Sequence, residues 1–75
     1  MKTIITHWRS IGDHSSERGY TFDGRLVGTV IREEESGDWT AEMWVASVRE
    51  TFLLGTYETV QAARRAVEEA SALET

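Results

Sequence analysis

Asp13, His14 and Glu17 lie in one short polar stretch, from Gly12 to Gly19. Imidazole nitrogen and carboxylate oxygen are both ligands for divalent metals, so this trio has the chemistry of a small metal site. A polar segment bounded by glycines is also the signature of a solvated loop. That plainer reading is preferred here, with no metal and no other cofactor expected. His7 is the only other histidine. Neither histidine stands at a recognisable spacing from a nucleophile, as covalent or general-base catalysis requires. The chain has no cysteine, which removes thiolate ligands, thiol nucleophiles and disulfides together. With no glycine-rich phosphate loop either, an enzyme is not expected.

Carboxylates form a second cluster. Glu33, Glu34, Glu35 and Asp38 surround Ser36-Gly37, with no basic residue inside the run to offset them. Such a run is a solvated hairpin tip or, read functionally, a negative knob that would meet the arginines and lysines of a partner. Glu42 and Trp44 follow at alternate positions of the next segment. An uncovered Trp is a typical interface anchor. An N-terminal strand laid over Trp44 would make it core instead, and that is the favoured expectation.

The elements that must carry these groups follow from periodicity. Residues 3–11 are rich in β-branched and aromatic side chains and predict a first strand. Asp23-Gly24 between apolar runs predicts a tight type I′ hairpin joining a short strand at 20–22 to a longer one at 25–33. Residues 39–48 alternate, with Trp39, Ala41, Met43 and Val45 on one face and Thr40, Glu42, Trp44 and Ala46 on the other. A last strand is predicted at 52–56. Thr59 then has the chemistry of an N-cap. A helix over about 60–73 places Val60, Ala63, Ala66, Val67, Ala70 and Leu73 on one stripe. Gln61, Arg64, Arg65, Glu68 and Glu69 fall on its wet side, with Arg64–Glu68 and Arg65–Glu69 spaced as ion pairs. The fold class expected is α+β: a small antiparallel sheet of three to five strands in meander order, packed on one C-terminal helix.

Seventy-five residues make one domain over 1–75. A chain of this length buries only ~60% of the surface its unfolded form exposes. A substrate-sized cavity would consume much of its core. The formal net charge is −5, and all basic residues but Lys2 are arginine. That balance favours a basic protein partner over phosphates. No apolar run has the length of a signal peptide's core or a membrane span, so a cytoplasmic location and no membrane partner are expected.

Three strings now stand together: Trp39-x-Ala41-Glu42, Leu54-Gly55-Thr56-Tyr57-Glu58-Thr59, and Ala62-Ala63-Arg64-x-Ala66. Over about residues 26–72 this pattern resembles the DNA-binding domain of the plant ethylene-response factors. Related domains occur in phage integrases and homing endonucleases. The resemblance implies a sheet that enters the major groove with its exposed face. It puts Arg25, Arg32, Trp44 and Arg49 forward as nucleic-acid-binding residues. The hairpin tip, basic in that family, is here acidic. The expectation is therefore a non-enzymatic acidic binding module that docks Glu33, Glu34, Glu35, Asp38, Glu42 and Trp44 on a basic nucleic-acid-binding surface of a host protein. Small acidic inhibitors encoded by phages and mobile elements, anti-CRISPR proteins among them, are the analogy of size and charge. Direct, sequence-specific DNA binding is the alternative, and a homodimer through the same sheet face is a further possibility.

Overall fold

The computed structural model describes residues 4–12 and 15–72. Five strands, β1 (His7–Ile11), β2 (Ser16–Tyr20), β3 (Leu26–Arg32), β4 (Trp39–Val45) and β5 (Glu50–Tyr57), precede one helix, α1 (Val60–Ala72). They form one antiparallel sheet in the order β1-β2-β3-β4-β5. This is the α+β meander with a C-terminal helix that the periodicity predicts.

Register defines the two faces. Val30 is paired with Ala41, and Ala41 with Gly55. All three lie on the side that meets α1, where Val30, Ala41, Ala63 and Val67 are fully buried. Trp39, Leu54, Tyr57, Val60 and Ala66 surround them. The helix starts where expected: the Thr59 hydroxyl accepts the Ala62 amide at 3.1 Å, satisfying one of the donors a helix N-terminus leaves orphaned. Ser71, also buried, donates to the Glu68 carbonyl at 3.0 Å. Leu73 lies outside the described residues.

Gly28 sets how closely helix and sheet approach. A Cβ there would stand 2.5 Å from the Val67 Cγ1 and 2.6 Å from the Glu42 carbonyl oxygen. Only a hydrogen fits. The close approach lies over β3, β4 and β5, and the β1–β2 hairpin is tied down by longer side chains. The Trp8 ring lies on Gly19, 3.0 Å from where a Cβ would be. Its indole N–H donates to Glu68 at 3.1 Å. Arg64 sits 5.8 Å from the Trp8 ring centroid and pairs with Glu17 at 2.5 Å. The expected helical pairs are thus replaced at Arg64 and Glu68, which bind the hairpin instead of each other.

Several expectations change. The segment read as a loop up to Gly19 becomes β2 from Ser16, because Ser16–Tyr20 pairs with both β1 and β3. The hairpin at Asp23-Gly24 is not a two-residue type I′ turn. Gly24 donates to the Thr21 carbonyl at 3.0 Å and alone takes positive φ, +86°. This is a type I turn closed by a glycine bulge. A further bulge at Val27 turns that residue into the core while Leu26 pairs with Tyr20 on the opposite face. β4 stops at Val45, three residues early, because Ala46–Arg49 forms the turn and β5 begins at Glu50. Trp44 is not covered by β1, which lies at the far edge of the sheet.

Gly28→Ala is expected to cost about 1–3 kcal/mol, the usual range for overpacking. Urea unfolding followed by Trp fluorescence would measure it, and an unchanged midpoint would show that the helix can back away freely.

Candidate binding surfaces

Two surfaces carry the residues singled out by chemistry. The first is the β3–β4 tip. Gly37, at φ +76°, donates to the Glu33 carbonyl at 2.8 Å, and Glu33 donates to the Asp38 carbonyl at 2.7 Å. These bonds close a four-residue loop that thrusts Glu34, Glu35 and Ser36 outward, all exposed. Ser36 braces the loop by accepting the Asp38 amide at 3.2 Å. Glu33 is also exposed, but its carboxylate accepts the Thr40 hydroxyl at 2.8 Å. Glu34 and Glu35 are the exposed carboxylates of the tip that the structure leaves unengaged; Asp38, also without a side-chain partner among the described residues, is half-buried. Arg32 reaches beneath it, its Nη2 3.8 Å from where a Gly37 Cβ would be. It lines one open hollow with Glu33, Glu34, Glu35 and Ser36 and forms no ion pair with the tip's acids.

The second surface is the sheet face away from α1. Cross-strand partners define its rows. One runs Arg9, Arg18, Thr29, Glu42, Leu53, and the next runs Ile11, Ser16, Ile31, Thr40, Thr56. His7 and Tyr20 are paired beside them and stack with ring centroids 5.5 Å apart. Leu53 is 69% exposed and Ile31 37%. Glu42 and Trp44 share this face, half-buried. Trp44 lines an open groove with Thr21, Arg25, Leu26 and Val45.

The six residues expected to bind a partner thus divide between tip and face. Glu42 lies four residues along β4 from Asp38, or about 13 Å at ~3.3 Å per residue. The four expected at nucleic acid do not share one surface. Trp44 is on the bare face, Arg32 is on the helix side in register with Trp39, Arg25 flanks the groove, and Arg49 sits in the β4–β5 turn with φ +53°. Arg9 and Arg18, which face the same way as Trp44, were legible only by pairing Ser16–Tyr20 as a strand. Among the described residues no three acidic or histidine side chains group closely enough to hold a metal; Asp13 and His14 lie outside the described residues. Nor is any described helix long and apolar enough to cross a membrane.

Against known proteins the chain stands apart: no family model, no curated protein and no solved structure matches it.

Beside the groove, the Thr21 hydroxyl donates to Asp23 and holds that carboxyl below the ordinary carboxylate range. A depressed folded-state pKa contributes stability above the unfolded pKa and loses it as pH falls through the folded value. Thr21→Val is expected to return the Asp23 pKa toward normal. NMR titration of the carboxyl would check this, and an unmoved pKa would assign the depression to Arg25 or the turn amides.

Proposed function

We propose that this chain is a non-enzymatic binding module, an inhibitor or regulator that docks its acidic tip on a basic nucleic-acid-binding surface of another protein. The observation that carries the reading is the loop of Glu34 and Glu35. Two exposed carboxylates without an internal partner stand on a turn held by two backbone hydrogen bonds. A rigid turn presents its charges with little ordering cost on binding. Glu33 and Asp38 add to the field. The mechanism is occlusion. Carboxylates pair with arginines and lysines that otherwise hold phosphates, and electrostatic attraction speeds the encounter and sets its orientation. The net charge of −5 supports the same direction of attraction. Origin in a phage or mobile element belongs to this proposal as an analogy of size and charge.

One observation favours a second reading, direct DNA binding. Arg9 and Arg18 stand with Trp44 on one sheet face, as the resemblance to ethylene-response-factor domains would use it. Retention of labelled duplex that weakens steeply with salt would identify that activity.

Glu34→Lys combined with Glu35→Lys is expected to slow association roughly tenfold or more, since steering by complementary charge accounts for rate gains of that order. Capture from lysate with wild-type and reversed chains, with and without competing DNA, checks it. A nucleic-acid-binding protein held by the wild type, displaced by DNA and lost with the reversed chain is the expected result. Equal capture by both chains would sink the tip as docking element.

A further inference from the structure

We propose that the bare sheet face joins two copies of this chain about a two-fold axis running along β3. This goes beyond the tip's proposed partner and does not rest on it. The face is uncovered by α1 and carries apolar side chains in its centre, Leu26 and Ile31 on β3 with Trp44 beside them. What says that a second copy covers it is the distribution of charge. The row across the sheet holds two guanidiniums on one flank, Arg9 and Arg18, and one carboxylate on the other, Glu42. None of the three has an ion-pair partner among the described residues. Arg9 and Arg18 are direct cross-strand neighbours, an arrangement that costs stability in an isolated sheet unless something anionic faces it.

Face-to-face docking of identical surfaces puts the two-fold axis in the plane between the sheets. An axis across the strands, running along the Arg9–Arg18 row, would set each arginine against itself, which like-charge repulsion disfavours. An axis along β3, the central strand of the five, exchanges β2 with β4. Arg18 then faces Glu42 of the second copy, and Glu42 faces Arg18, closing two ion pairs. Tyr20 faces Trp44 in the same exchange. Ile31 and Leu26, on the axis, each meet their own counterpart. Sheets stacked this way lie ~10 Å apart. At ~4.8 Å between strands the footprint is about 20 Å on a side, in the range of weak, transient interfaces. The dimer is therefore expected to form reversibly with concentration. Both acidic tips lie at the same end of it. Their mutual repulsion, damped over a Debye length of ~8 Å at physiological salt, opposes the pairing without blocking it.

The test uses charge exchange on the full chain. Sedimentation equilibrium of the wild type across a wide concentration range should approach twice the 8.5 kDa monomer mass. Arg18→Glu alone and Glu42→Arg alone should each weaken self-association at least tenfold, because each homodimer then opposes like charges. Mixing the two variants should restore a dimer of wild-type strength, since R18E and E42R chains complement each other at both positions. Circular dichroism confirms that each variant is folded. A wild type that stays monomeric throughout, or assembles beyond a dimer, overturns the proposal. So do variants that dimerise as the wild type does, and so does a mixture that remains monomeric.

Discussion

Helix and sheet touch through a missing side chain. Gly28 leaves room for Val67 to rest on the backbone of β3 and β4, and every larger contact in the core is arranged about that near approach. In a chain with so few fully buried aliphatics, close packing of small residues must do what large side chains do elsewhere. Ala41 and Ala63 lie on the same plane of contact and are fully buried. Dispersion falls off steeply with distance, so a helix held even slightly farther out would forfeit much of the attraction. Tyr57 shows the same economy. Its hydroxyl folds back over Gly55, 3.2 Å from where a Cβ would stand.

One helix can cover only one side of a five-stranded sheet. α1 lies over β3, β4 and β5, and the first two strands need another tether. The Glu17–Arg64 pair, the Trp8 indole and the Glu68 carboxylate supply it. These groups are partly exposed, so solvent screens them, and the hairpin is held less firmly than the core. This polar latch commits Trp8, Arg64, Glu17 and Glu68 to joining hairpin and helix.

The helix, its N-cap and the β4 alternation were legible because local periodicity and burial agree there. Thr59 caps, Ala63 and Val67 are buried, and Trp39, Ala41 and Met43 fall on one side, all as spacing alone indicates. The region from Ser16 to Val27 was opaque for a physical reason. Ser-Glu-Arg-Gly has no strand propensity of its own, and it is a strand because two neighbours pair with it and Trp8 covers Gly19. The bulge at Val27 then breaks the strict alternation from which faces are read. The acidic tip was legible as composition, whereas the alignment of Arg9 with Arg18 arises from pairing that composition does not encode. Which face Trp44 occupies followed from alternation, but its lack of cover followed only from strand order.

The irregularity in β5 has an effect beyond the interior. Where Ala41 and Glu42 face Gly55 and Leu53, Leu54 is the extra residue, and Gly55 takes φ +154°. β5 is a border strand, with backbone amides and carbonyls facing outward along one side. A straight border of that length would template the addition of foreign chains, as in fibrils. The kink at Leu54-Gly55 interrupts the evenly spaced donors and acceptors such growth would need, and so a core-packing adjustment also guards this small chain against polymerisation.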